Sequence, residues 1–310
     1  MHIALYFWDR LPVPDYGGTQ RIVVYLARGL AAAGHQVTLI AGHGSTVPEA
    51  TLVPVDLALA RSPEFDIRPL LPPGLDLLLA CVPLRTPPEV PWIRRLAGNW
   101  KPGAVGPPNT LYLSQNHAQR HGGQAWVYNG IDPADFRFRR DKDDYDLFLG
   151  RLHRVKGYRW AVEAAKRTRR RLLLAGGWRP SLSRWVRYVG KVGGARKATL
   201  LAGARALWMP ALWDEPFGIT LIEALVSGTP VLGTHRGSLP EVISPEVGAL
   251  GDSVDELVAL RPALDRIEPE RCRAHVEQWF THHTMAEGYL RVFRHFLAEG
   301  VLPAGRLVGQ

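Results

Sequence analysis

Short apolar runs alternate with helix-length segments twice along this chain, and that alternation is what most limits its fold. Residues 3–7 read as a buried strand. The loop that follows, 9–18, holds Pro12, Pro14, Gly17 and Gly18. Thr19 is placed to cap a helix over 20–33, Gly34 to end it, and 37–41 form a second strand. A strand, helix, strand series needs a crossover connection, so the sheet is parallel. The alternation restarts at 146–149 and runs through a helix at 160–168 and strands at 172–175 and 186–189. A helix at 196–201, strands at 206–209 and 230–233, and a short strand at 242–243 follow. Helices at 253–265, 269–280 and 285–298 close the chain. Between Pro48 and Pro108 the pattern is Pro-rich, with strands legible only at 75–80 and 90–96; 111–114 and 126–128 read as further short strands. The polar segment 131–144 reads as a linker. Three parts result: an N-terminal domain over 1–140, a second over 141–284, and a C-terminal helix over 285–310 that crosses back to the first.

Within the second series, the stretch WDEPFGITLIE (213–223) carries the most chemistry. An apolar strand leads into a loop with Asp214 and Glu215, Pro216 keeps Glu215 out of helical geometry, and a helix starts near Gly218 and stops at Gly228. Such a helix start offers unpaired N–H groups and a positive dipole end to an anion, phosphate above all. Two carboxylates beside a phosphate are hydroxyl acceptors rather than phosphate ligands. The plain alternative is a capped helix with acidic first turns and no function.

The 310 residues, 46% hydrophobic and 22% charged, suit two globular cores. No apolar run would span a bilayer and the N-terminus lacks the basic start of a signal peptide, so the expected location is cytoplasmic. Cys81 and Cys272 have no ligand spacing around them. The net charge of +9 suits an anionic ligand, nucleic acid or the acidic face of a membrane. The basic run 166–171 ends a helix, where cations complement the dipole, and no nucleic-acid module accompanies it, so no nucleic-acid partner is expected.

Several motifs in order make the chain resemble the retaining GT-B glycosyltransferases of family four: Gly17-Gly18 with GHQVT at 34–38, NGID at 129–132, GRL…KG with Arg151 and Lys156, EPFGITLIE from Glu215 to Glu223, then GTPV and GSLPEV. The resemblance implies two Rossmann-like domains facing across a cleft and a nucleoside-diphosphate sugar as donor. Arg151 and Lys156 would hold the leaving diphosphate. Glu223 would accept from the ribose hydroxyls, Glu215 from the donor sugar. Backbone amides of Phe217, Gly218 and Ile219 would bind the sugar, Thr220 and Leu221 would touch phosphate, and Gly17 and Gly18 would close on the diphosphate. No metal or other cofactor is implied. The acceptor (glycan, lipid or small molecule) is undetermined, and peripheral contact with a membrane's inner face is compatible with the charge.

Two departures stand out. The family's Glu is Gln20 here, and Ala97 or Gly98 stands where the family carries a His, with Asn99 and His117 as substitutes to consider. Three rival readings remain: a metal-dependent transferase using Asp141-x-Asp143, a non-catalytic nucleotide-sugar or nucleic-acid binder on the same fold, and a nicotinamide-dependent dehydrogenase. The last fits least, because no glycine loop is G-x-G-x-x-G.

Overall fold

The computed structural model describes residues 1–13, 17–101, 103–104 and 106–305. Pro14 of the 9–18 loop and residues 306–310 of the C-terminal segment lie outside that set. The chain forms two compact units: unit 1 takes the chain up to Ile131 and again from Thr281, and unit 2 takes Asp132–Phe280.

Unit 1 opens with β1 (His2–Phe7), α1 (Gly18–Ala32), β2 (Gln36–Gly42), β3 (Thr51–Val55) and α2 (Leu57–Arg61). It continues with β4 (Leu77–Ala80), β5 (Trp92–Arg95), β6 (Thr110–Leu111) and α3 (Gln115–Arg120). The strands form one parallel sheet in the order β3-β2-β1-β4-β5-β6. Edge position explains β3, which holds Pro54 where a central strand would lose a ladder hydrogen bond. Thr19 lies inside α1; the N-cap is Gly17, at φ 159° and ψ 91°, with no side-chain cap. Ile22, Leu26 and Leu30 bury one face of that helix. The expected strands at 111–114 and 126–128 shrink to β6 and an isolated bridge between Tyr112 and Trp126.

Unit 2 runs β7 (Asp146–Leu149), α4 (Tyr158–Thr168), β8 (Leu172–Ala175), β9 (Val186–Gly190), α5 (Gly194–Gly203) and β10 (Leu207–Met209). Then come α6 (Ile219–Val226), β11 (Val231–Gly233), α7 (Leu239–Val242), β12 (Gly248–Leu250), α8 (Val254–Leu260) and α9 (Pro269–Trp279). Its sheet is parallel too, in the order β12-β11-β10-β7-β8-β9. Residues 242–243 are therefore not a strand: Val242 ends α7, and the edge strand is β12. The helix expected over 253–265 is α8 followed by a 3₁₀ turn, Arg261–Arg266, with Pro262 near its start. The last helix, α10 (His282–Glu299), packs on α1 in unit 1 so closely that a Cβ on Gly29 would lie 2.5 Å from the His282 carbonyl oxygen.

Two buried polar clusters hold these layers in register. In unit 2 the fully buried Arg261 clamps Asp146 at the start of β7 with two hydrogen bonds of 2.8 and 2.5 Å and reaches Asp265 at 2.8 Å, while Trp208 Nε1 donates to Asp146 at 2.9 Å. A buried ion pair is tolerable when its donors and acceptors are met in this way. In unit 1 the buried Arg95 donates to Tyr289 Oη on α10 at 2.9 Å and to Asn129 Oδ1 at 2.6 Å, joining β5 to the chain's return. The charged segment after Ile131 is no loose linker. Lys142 Nζ donates to the carbonyls of Ala202 and Ser227, at the ends of α5 and α6, and to Thr229 Oγ1.

Candidate functional site

Both sheets have the doubly wound order, which places a switch point between β1 and β4 in unit 1 and between β7 and β10 in unit 2. Successive connections there leave on opposite faces, so a crevice opens outside the carboxyl ends of the two strands. In unit 2 that crevice is bordered by the loops 150–157 and 210–218, which hold most of the residues singled out from the sequence.

The first loop leaves β7 at Gly150 and Arg151, whose side chain is exposed, and tightens into a 3₁₀ turn over Arg154–Lys156. Gly157 then sits in the left-handed region at φ 74°, where a Cβ would run into the Pro210 carbonyl oxygen. Only glycine allows both that φ and that approach. The second loop is tied on three sides: Leu212 N–H donates to Val155 O (2.7 Å), Thr234 Oγ1 to Ala211 O (2.7 Å), and Ser238 N–H to Glu215 O (2.9 Å). Asp214 accepts from the Gly237 N–H at 3.2 Å and so works as a loop cap.

These ties bring Lys156, Trp213 and Glu215 together. Lys156 Nζ donates to Glu215 Oε2 at 2.6 Å, Trp213 Nε1 donates to the same oxygen at 2.8 Å, and the ammonium lies 4.4 Å from the Trp213 ring centroid. The two charged side chains are 20% and 12% exposed, so the pair is shielded yet reachable from solvent. A cation in contact with a carboxylate and an indole face is held by both.

Directly after Glu215, Phe217 is buried against Phe280, 5.9 Å between ring centroids. Gly218, at φ 80°, is the N-cap of α6 without a side-chain cap. Ile219 and Thr220 begin the helix half-buried and Leu221 is buried, so the helix start carries its N–H groups beside the Glu215 loop. Glu223 does not lie open along the wall. Its carboxylate is 6% exposed and accepts from Lys197 Nζ on α5 at 2.6 Å.

Lys197 and Trp213 are the residues that sequence reasoning missed. Lys197 had a signal: it stands one turn before the buried Leu201 on the inward face of α5, where a lysine needs a partner. Trp213 had none beyond its place next to Asp214 and Glu215. Gly17 and Gly18 belong to unit 1, at the carboxyl end of β1 and thus at that unit's own switch point. Gln20 donates to Asp9 Oδ2 at 3.1 Å, and Asp9 also pairs with Arg61 at 3.0 Å.

His117 does not replace the family's histidine. It is fully buried, its Nδ1 accepting from the Leu113 N–H (3.3 Å) and its Nε2 donating to Gly98 O (3.1 Å). Burial pushes its pKa down to about 3, so the ring is a neutral structural bridge. Asn99 accepts from Arg120 at 2.9 Å. Asp141-x-Asp143 lies before β7, at the amino end of the sheet, and Asp143 is forked by Arg139 at 2.9 and 3.0 Å. Among the described residues no three His, Cys, Asp or Glu converge as a metal site would require.

Comparison with known proteins fits this arrangement. A profile described as "Glycosyltransferase Family 4" matches residues 16–171, half of the chain, and one described as "Glycosyl transferases group 1" matches 145–263. An uncharacterized glycosyltransferase of Methanocaldococcus jannaschii is 30% identical over 154 residues, 40% of this chain and 39% of that protein. The chain thus spans about two fifths of that curated relative. The crystal structure of AviGT4, a glycosyltransferase involved in avilamycin A biosynthesis, is 30% identical with a TM-score of 0.81, covering 97% of this chain and 99% of that one. The Anabaena protein HepE, solved with UDP and glucose, shares the fold at a TM-score of 0.66 and 15% identity over 94% of this chain and 99% of its own.

Proposed function

Because the chain belongs to glycosyltransferase family 4 and is a GT-B enzyme, we propose that it moves a sugar from a nucleoside-diphosphate sugar to an acceptor with retention at the anomeric carbon and without a metal. The observation that carries this reading is the Lys156–Glu215–Trp213 cluster beside the α6 N-terminus at the unit 2 switch point. Cleavage of the bond between the anomeric carbon and phosphate places negative charge on the diphosphate oxygens. In this reading Lys156, Arg151 and the first N–H groups of α6 stabilise that charge, as fixed cations and a helix dipole can without rearranging solvent.

Glu215, held in place by Lys156 and Trp213, accepts hydrogen bonds from the donor sugar's hydroxyls. Glu223, oriented by Lys197, accepts from the ribose. As the anomeric carbon detaches, the leaving phosphate oxygen takes the acceptor's hydroxyl proton on the same face, and the acceptor oxygen forms the new bond there. In unit 1 the Gly17-Gly18 turn after β1 offers backbone to an anion. Peripheral contact with an anionic membrane belongs to the same reading and is supported by the +9 charge.

The test is thermal unfolding in EDTA with a panel of nucleoside diphosphates and their sugars, beginning with UDP and UDP-glucose. A ligand at 100 times its Kd adds about 2.7 kcal/mol to stability, a clear rise in Tm. Stabilisation by one nucleotide in EDTA, followed by turnover of its sugar, is the expected outcome. Stabilisation without turnover of any donor would favour the binding-protein alternative. A requirement for added divalent ion would overturn metal independence.

A further inference from the structure

In the unit 2 sheet, α4, α5 and α6 cross between β7 and β8, β9 and β10, and β10 and β11, but the ten residues 176–185 between β8 and β9 contain no helix. Parallel strands are usually joined through a helix that covers one face of the sheet. Where it is missing, aromatic rims of the core reach the surface: Trp185 and Tyr188 are only partly buried against the core cluster. Arginines lie over aromatic rings here, Arg184 4.5 Å from the Trp185 ring centroid and Arg179 5.4 Å from that of the buried Tyr158. The connection itself projects Trp178, 71% exposed, and Leu182, fully exposed.

This edge lies in the most lopsided part of the charge distribution. Between Ala164 and Trp213 the sequence holds twelve Lys and Arg and no Asp or Glu, more positive charge than the +9 of the whole chain. Arg167 and Arg170 find carboxylates on other elements, at Asp255 and Asp265, whereas Arg179 and Arg184 lie over rings. An exposed Trp and Leu at the tip of a basic loop have the chemistry of a bilayer interface. The indole and the aliphatic chain enter the boundary between headgroups and acyl chains, and arginines meet lipid phosphates. A nucleic acid would use the arginines and the Trp but offers nothing to a fully exposed leucine.

We propose that the β8–β9 connection, with Trp178 and Leu182 at its tip and Arg179 and Arg184 beside them, docks the protein on an anionic lipid bilayer. The proposal rests on the membrane contact named in the proposed function and assigns a surface to it; donor chemistry plays no part, so docking can fail while sugar transfer stands, and the reverse. Among the described residues no helix is long and apolar enough to cross a membrane, so the contact is with the surface.

The experiment is co-sedimentation of the full chain with vesicles of phosphatidylcholine alone and of phosphatidylcholine with about one third phosphatidylglycerol. Binding to the anionic vesicles at least about tenfold tighter is expected, together with a further loss of about tenfold in a Trp178→Ser/Leu182→Ser variant. Both side chains are exposed, so that variant keeps the wild-type Tm and its turnover of soluble donor. An Arg179→Gln/Arg184→Gln variant should lose the preference for anionic lipid while keeping weak binding to neutral vesicles. Absence of binding to anionic vesicles, or equal binding by the Trp178/Leu182 variant, overturns the proposal. Tighter binding to a random single-stranded RNA, unaffected by Leu182→Ser, would assign the surface to nucleic acid instead.

Discussion

At the scale of single residues, the two lysine–glutamate pairs of unit 2 have the same length and opposite surroundings. Lys197–Glu223 is 10% and 6% exposed, and Lys156–Glu215 is 20% and 12% exposed beside an indole. Removing one partner of a buried pair leaves an uncompensated charge at a cost of about 3–5 kcal/mol. Lys197→Met is therefore expected to lower stability by about that much, and Lys156→Met by about 1–2 kcal/mol with the greater loss in turnover. Urea unfolding midpoints set beside single-turnover rates check the contrast; equal stability losses with equal turnover losses would make Lys156 structural. Glu223→Gln, which keeps an oxygen to accept from Lys197, is a cleaner probe of nucleotide affinity than Glu223→Ala.

His117 supplies a pH dependence. In the unfolded chain a histidine titrates near 6.5, and in the fold burial pushes it down to about 3. Between those values the unfolded chain binds a proton that the folded chain refuses. The contribution is thus full above about pH 6.5 and is lost progressively as pH falls toward 3. By pH 5 the loss at this site is about 2 kcal/mol. Unfolding midpoints at pH 7 and pH 5 should differ less in His117→Gln than in the wild type. An identical slope in both would place the acid sensitivity elsewhere.

At the scale of elements, glycines show what a loop demands. Gly157 and Gly34 both have φ near +80°, yet a Cβ at 157 meets the Pro210 carbonyl while a Cβ at 34 meets nothing within 4 Å. Gly34→Ala should cost only the backbone strain, about 1–2 kcal/mol, with turnover retained. Gly157→Ala adds displacement of the loop that positions Trp213 and Glu215, so turnover falls with stability. Parallel Tm and rate measurements on the two variants separate strain from collision; matching behaviour would remove loop 210–218 from the site.

The elements also show where periodicity suffices. Apolar strands such as β1 and β4 and a long, largely buried helix such as α1 were legible because their length and apolar pattern, with Gly34 as a stop, leave no competing reading. β12, the three residues Gly-Ala-Leu, has no pattern of its own and pairs only because β11 presents an open edge. The strand expected at 242–243 failed for the complementary reason: Pro240 in the first turn of α7 and its packing against β11 carry Val242 into a helix. The candidate site was legible as to Lys156, Glu215 and Glu223, whose spacing is local. The partners of two of them, Lys156 with Glu215 and Lys197 with Glu223, required loops and helices from different strands to meet.

At the scale of the whole molecule, unit 1 is completed by the end of the chain. α10 lays Met285, Tyr289, Leu290 and Phe293 on the unit's core, and Tyr289 accepts from the buried Arg95. Truncation before Thr281 should expose that core and take the Tyr289 acceptor from Arg95, leaving it Asn129. Hydrogen exchange on the truncated chain is expected to show lost protection in β1–β6 and retained protection in β7–β12. Retained protection in β1 and β4 would mean that unit 1 folds without α10.

The amino-acid sequence by itself determined the alternation of strands and helices, the parallel sheets that alternation requires, and the motif residues around β7, β10 and α6. Those features depend on neighbours a few residues apart, where hydrophobic period, Gly and Pro act directly on the backbone. Tertiary structure alone decided which charges are buried and paired, that His117 is a neutral bridge, and that the β8–β9 connection projects a Trp and a Leu without a covering helix. Burial and pairing depend on segments tens to hundreds of residues apart, as between Arg95 and Tyr289 or Asp146 and Arg261. No local pattern encodes that separation, and only the packed fold supplies it.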